Sequence, residues 1–254
     1  GMFSVFSYVS GILYHYDLGT YEGLKVDFEN EGLYYDKSHG PNWWQYYCEP
    51  ICLGEIVSGN IKTFDYFEYH RYAFFVEKKL KRKEVNQIIQ KYIKIKPVIQ
   101  EKIDKFAAEN FSDQFVIAVH YRGTDKFIKE AIEVPYSKVI KKIKSYIKIN
   151  DLSKFKIFVA TDEEPFLKAV KKAFSNSVVA YNSTRSTNGD PIHLNVGDKH
   201  KNDGYNYRIG EEALIDCILL SKANVLFRTS SNLSLWSSYF NPYIPVIDLS
   251  ERKK

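Results

Sequence analysis

The sequence predicts an α/β fold. Two observations carry that expectation. Short apolar runs of strand length recur through the second half, and stretches with helical periodicity separate them. Parallel strands need a crossover, generally a helix, so this alternation implies a parallel sheet covered on both faces.

The elements read as follows. Residues 1–110 are taken as a smaller, irregular N-terminal domain. It holds an aromatic cluster at Trp43, Trp44, Tyr46 and Tyr47. Such clusters pack cores or join domains, and they also stack on sugar rings. We expect packing here, with an acceptor-sugar contact as the alternative. From about 84 to 108 the pattern is helical, interrupted at Pro97. The run Glu109-Asn110-Phe111-Ser112-Asp113 marks a boundary, and residues 111–254 form the second domain.

In that second domain, residues 115–120 form an apolar run suited to a buried parallel strand. A helix is expected near 135–149 and a strand at 155–160. Thr161 and Glu164 have the spacing of a capping box ahead of a helix lined by Phe166, Val170 and Phe174. A strand at 177–181, a helix at 210–223 and strands near 224–228 and 244–248 complete the series. Residues 182–208 are rich in Asn, Ser, Thr and Gly and break the pattern. A loop that long in a compact domain is usually functional or mobile.

Bulk properties narrow the function classes. At 254 residues the chain can bury a real core, and 44% hydrophobic with 26% charged residues is ordinary for a globular protein. With 20 Tyr, flat faces with polar tips are plentiful, which suits sugars and bases. The net charge of +5 fits an anionic partner without choosing one. The densest basic stretch, Lys78 to Lys83, is read as a solvated helix face. No DNA- or RNA-binding motif is present, so nucleic acid is not an expected partner. Three cysteines, Cys48, Cys52 and Cys217, are too few and odd in number for a disulfide framework and suggest a reducing compartment. With no signal peptide and no apolar run near membrane-spanning length, a cytoplasmic location is expected.

Three constellations carry chemistry. The first is His120-Tyr121-Arg122-Gly123-Thr124-Asp125-Lys126, at the carboxyl end of the first strand of the sheet. Ligands of open α/β sheets bind there. Arg122 can clamp a phosphate with its planar fork, Lys126 adds a point charge, and Gly123 allows close backbone approach. The plainer reading is an ion pair between Arg122 and Asp125. The second is Asp216, alone in the apolar helical run Ala213 to Leu220. A carboxylate there needs a strong partner. Guanine, with two parallel N–H donors, is one, and an internal Arg or backbone group is the other. The third is Arg228-Thr229-Ser230-Ser231-Asn232, which can cradle a phosphate on free backbone N–H groups or cap a helix. No P-loop, GxGxxG, Asp-x-Asp or His-Glu-x-x-His occurs, so a metal-independent nucleotide site without cofactor is the consistent expectation.

Three motifs in order, HYRGTDK at 120–126, FVATDEE at 158–164 and ALIDCILLSKANVLFRTSSN at 213–232, resemble the α1,6-fucosyltransferase group, animal and rhizobial. The protein O-fucosyltransferases are similar more loosely. The likeness covers most of 115–240. It implies a GT-B fold with a C-terminal Rossmann-like nucleotide-binding domain, and inverting transfer from GDP-fucose to a glycan acceptor without a metal. By motif position, Arg122 would hold the β-phosphate, and His120 and Asp216 would read guanine. Ser230 and Ser231 would sit at the phosphates, and Lys126 would help the leaving group or the acceptor. Glu130 falls where the group has an acidic base. Members of the group often carry a second Arg where this chain has Gly123. The resemblance then implies that one phosphate contact is either lost or supplied elsewhere, by Arg185 or Arg228. They also have a strand and loop ahead of the point where this chain begins. A glycosyltransferase using another GDP-sugar and a non-catalytic nucleotide- or glycan-binding relative remain open alternatives.

Overall fold

The computed structural model describes residues 1–28, 32–56, 63, 66–123, 134–189, 192 and 204–250. The chain forms two compact units, one of Gly1–Gln100 with Lys201–Glu211 and one of Glu101–His200 with Glu212–Lys254.

The first unit is mainly helical. Helix α1, Met2–Asp17, buries Met2, Phe6, Val9 and Leu13 at helical spacing. A Cβ on Gly11 would lie 2.8 Å from the Tyr72 carbonyl oxygen, so glycine lets α1 meet the later helix closely. Strand β1, Gly23–Lys25, pairs antiparallel with β2, Cys52–Gly54. Between them the single turn α2, Trp44–Tyr47, carries the aromatic cluster. Trp43, Trp44, Tyr46 and Tyr47 are all buried, and the Trp44 ring lies 4.8 Å from Phe6. The cluster is therefore core, the packing role expected for it. Helices α3, Tyr66–Lys79, and α4, Arg82–Tyr92, follow. Lys78, Lys79, Lys81 and Lys83 at their junction are exposed, as a solvated face requires.

Helix α5, Pro97–Phe111, begins in the first unit and continues into the second. Proline suits the first turn of a helix because its missing N–H has no partner there anyway. The rest of the chain alternates: β3 Phe115–Tyr121, α6 Tyr136–Ile149, β4 Phe155–Thr161, α7 Glu164–Phe174, β5 Val178–Val179, α8 Tyr205–Ser221, whose residues up to Glu211 belong to the first unit, β6 Val225–Arg228, α9 Asn232–Phe240 and β7 Val246–Asp248. The five strands are all parallel, in the order β5-β4-β3-β6-β7. Ile117, Val119 and Tyr121 of β3 face a core shared with Val139 and Ile143 of α6 and Phe166 and Val170 of α7. Alternate strand residues point the other way. There Phe106 of α5 packs edge-on against Phe158 of β4, with ring centroids 5.7 Å apart. The sheet is thus covered on both faces, and the expected α/β architecture is observed.

Details differ from expectation. Helix α8 starts at Tyr205, inside the stretch read as loop. Its first turns carry Tyr207, whose ring stacks between His39 and Tyr47 at 4.0 and 5.6 Å, so aromatic packing holds a helix that polar composition concealed. The capping box at Thr161 does not form. Helix α7 begins at Glu164, and the Thr161 hydroxyl instead accepts from the Glu163 N–H at 3.1 Å. Among the described residues no helix is long and apolar enough to cross a membrane.

Candidate functional site

Strand order creates the site. From β3 the chain winds one way to β4 and β5, while β6 and β7 lie on the other side. The topological switch point therefore falls between β3 and β6, and a crevice opens there beyond the carboxyl ends of the strands. His120 is in register with Arg228, so the residues after each strand emerge side by side.

Two hydrogen bonds zip these ends together. The Thr229 N–H donates to the His120 carbonyl at 3.1 Å, and the Arg122 N–H donates to Thr229 Oγ1 at 2.9 Å. Thr229 is buried, and its own carbonyl accepts from the Ser234 hydroxyl at 3.2 Å. The sequence placed Thr229 among phosphate-facing residues. The structure gives its side chain to the backbone of Arg122.

Arg122 is half-buried, and its Nε lies 3.3 Å from Asp162 Oδ2. The other oxygen of Asp162 accepts from the Gly123 N–H at 3.0 Å. Asp162 lies in the motif FVATDEE and carries no role expected from the sequence. Strand register reveals it: Tyr121 pairs with Thr161, so the residues following each strand meet. Asp125, the partner expected in the plainer reading of Arg122, lies outside the described residues, as do Lys126 and Glu130.

Gly123 faces Glu163. A Cβ there would stand 2.0 Å from the Glu163 carboxyl carbon. Glu163 is held by Tyr136, whose hydroxyl donates to Oε2 at 2.6 Å. Tyr136 in turn packs edge-on to Tyr121 and Phe166. This carboxylate occupies the space that a side chain at 123 would need, so any larger residue there would have to displace it. Arg185, one of the two expected substitutes for the missing arginine, spends its guanidinium on the carbonyls of Ser183 and Tyr181 at 2.9 and 2.7 Å.

Ser231 caps α9, its Oγ accepting from the Leu233 N–H at 3.3 Å. Ser230 is exposed, and its N–H donates to Ser250 Oγ at 2.6 Å. The neighbouring helix α8 reaches the first turn of α9 through Cys217, whose thiol donates to the Leu233 carbonyl at 3.3 Å. Asp216 is the residue before it. Its Oδ2 accepts from the Ser183 hydroxyl at 2.9 Å, while its buried Oδ1 has no hydrogen-bond partner among the described residues. Burial raises its pKa to about 7, against the lowering influence of Ser183 and Arg185. Among the described residues no group of three or more His, Cys, Asp and Glu side chains could hold a metal.

His120, Arg122, Ser230 and Ser231 are thus brought to the ends of two adjacent strands. Asp216 stands one residue from the contact between α8 and the helix that Ser231 caps.

No protein-family model matches the sequence, and no curated protein matches it. Solved structures similar in fold include the fucosyltransferase NodZ from Bradyrhizobium, at 21% identity and TM-score 0.42 over 64% of this chain and 47% of that one. A FUT1 mutant from Arabidopsis thaliana in complex with GDP is similar at 11% identity and TM-score 0.45, over 74% of this chain and 40% of that one. POFUT1 in complex with GDP is similar at 14% identity and TM-score 0.42, over 66% of this chain and 50% of that one. The chain spans half or less of the length of these neighbours.

Proposed function

We propose that this chain is a fucosyltransferase-like glycosyltransferase that binds a GDP-sugar, GDP-fucose first among them, in its C-terminal domain. One observation carries the reading. Arg122 and the Thr229–Ser231 turn, far apart in sequence, meet at the switch point of a parallel sheet through the Arg122–Thr229 hydrogen bond. A cationic fork beside a helix N-terminus is a site for a diphosphate.

In this reading Arg122 takes the β-phosphate, and Ser230 and Ser231 lie along the phosphates. His120 and Asp216 read the guanine, the buried Oδ1 of Asp216 accepting one of its N–H groups. As the sugar–phosphate bond breaks, charge grows on the leaving phosphate. Arg122, Lys126 and backbone N–H groups stabilise it in place of a metal ion. Glu130 takes the proton of the attacking acceptor hydroxyl, and attack from the opposite face inverts the anomeric carbon. The acceptor is a glycan, met by the N-terminal residues 1–110, and the setting is bacterial glycan synthesis in the cytoplasm. The three cysteines, too few and odd in number for a disulfide framework, support a reducing compartment.

Calorimetry without divalent metal, over GDP, GMP, UDP, ADP, GDP-fucose and GDP-mannose, tests the donor. GDP should bind well, GMP and UDP poorly, and GDP-fucose at least as well as GDP-mannose. Arg122→Ala should weaken GDP binding and abolish transfer. Near-normal activity in that variant, or no guanine nucleotide bound by the parent chain, overturns the assignment.

A further inference from the structure

Helices α6 and α7 lie side by side on one face of the sheet, sharing the core of Val139, Ile143, Phe166 and Val170. Their outward faces are unlike the rest of the surface. Helix α6 carries five lysines and no carboxylate, and α7 carries three lysines and one, Glu164. That is a net +7 on two helices of a chain whose total is +5, so everything else sums to −2.

Lys141, Lys142, Lys144 and Lys148 of α6 and Lys168, Lys171 and Lys172 of α7 are exposed. None of these seven forms an ion pair among the described residues. Lysines elsewhere do, as in Lys91 with Asp17 at 2.6 Å and Lys222 with Asp104 at 3.0 Å. The two rows belong to one patch, since Lys144 Nζ sits 5.8 Å over the ring of Phe174, the last residue of α7. A shallow depression between Lys141, Lys144 and Lys148 is lined further by Ser137, Ile140 and Ser145. At the end of α6, Ile149 is 81% exposed, the most exposed large apolar side chain described. It follows Lys142 by seven residues and so lies on the same helical face.

Seven exposed lysines without an ion-pair partner among the described residues make this face a positive patch that draws anions. We propose that the α6–α7 lysine face docks the protein onto an anionic phospholipid surface, with Ile149 entering the headgroup layer. Two features favour a membrane over nucleic acid. The patch contains no arginine, the residue whose fork reads phosphate and base edges. Its aromatic rings are already engaged: Tyr136 is held by Glu163, Tyr146 packs on Phe115 and Phe227, and Phe174 packs against the core with Lys144 above its ring. Lysine, a point charge on a flexible apolar stem, suits a disordered headgroup layer. Helices that follow parallel strands run back along the sheet. The lysine-rich carboxyl ends of α6 and α7 therefore lie away from the strand ends that form the nucleotide site, and docking leaves that crevice open. The inference stands independently of the donor assignment.

Co-sedimentation of the full chain with phosphatidylcholine vesicles, with and without phosphatidylserine, tests it. Binding should require the anionic lipid and fall steeply with added salt. The triple variant Lys141→Glu, Lys144→Glu, Lys148→Glu should lose about a hundredfold or more in partition. The matched change at Lys78, Lys79 and Lys81 alters net charge equally and should cost far less. Ile149→Ser should weaken binding while leaving its salt dependence in place. Milder Lys→Gln changes at the α6 positions, checked by thermal melting, keep the test sound if charge reversal unfolds the chain. Equal loss in both triple variants, equal binding to neutral vesicles, or capture by a polynucleotide with no vesicle binding would each overturn the proposal.

Discussion

The carboxylate of Asp162 stands between Arg122 and Gly123, 3.3 Å from the guanidinium Nε of one and accepting the N–H of the other at 3.0 Å. One side chain thus sets both the direction of the arginine fork and the path of the backbone leaving β3. Removing it takes away this contact of a half-buried cation and the acceptor of the Gly123 N–H. Asp162→Ala should destabilise the fold by about 1–3 kcal/mol in urea unfolding. Asp162→Asn, which keeps an acceptor for Gly123, should cost less. Equal losses in the two variants would show that the hydrogen bond to Gly123 contributes nothing.

Gly123 and Glu163 compete for the same space. Gly123→Ala should push the Glu163 carboxylate away from Tyr136 and cost about 1–2 kcal/mol. In a Glu163→Ala background the same change should be nearly neutral. A double-mutant cycle reads this directly. Full additivity would mean that the clash is relieved some other way.

Asp216 makes stability depend on pH. Its folded pKa is raised to about 7 by burial, above its ordinary value of 3.8. Below 3.8 both folded and unfolded chains are protonated at this site, and there is no penalty. Between 3.8 and 7 the unfolded chain has released the proton and the folded one holds it, so stability falls as pH rises. Above about 7 the penalty is constant, at up to about 4 kcal/mol. Asp216→Asn should therefore gain melting temperature over the parent chain, more at pH 8 than at pH 5. A gain independent of pH would refute the linkage. Under the proposed function, nucleotide binding carries the opposite sign, because the ionised carboxylate is the better acceptor for guanine. GDP affinity should rise through pH 7.

The three thiols should separate cleanly. Cys52 is exposed, whereas Cys48 and Cys217 are buried and their thiols are pushed well above the usual range by that burial. A thiol reagent at pH 8 should modify one cysteine rapidly in the folded chain and all three after denaturation. Mass spectrometry should find the early adduct on Cys52. An early adduct on Cys217 would contradict its contact with the Leu233 carbonyl.

Much of this was legible in the sequence. Strands β3, β4 and β6 announce themselves because parallel strands buried on both faces need near-continuous apolar runs, and Phe115–Val119 is such a run. The lysines of α6 and α7 alternate with apolar residues at helical spacing, which marks both helices. The positions of His120, Arg122 and Ser231 follow from the same logic, since each lies where a strand ends.

What the sequence determined, then, was the periodicity of its elements and the residue types at strand ends, because these are local properties. Only the tertiary structure decided which ends meet. It placed Thr229 under the backbone of Arg122 and Asp162 beside its guanidinium, because strand order brings 122, 162 and 229 together across gaps no periodicity encodes. It also decided that Glu163 fills the space a side chain at Gly123 would need, and that Tyr205 starts a helix inside a polar stretch. Both depend on partners distant in sequence, and packing against them outweighs local propensity.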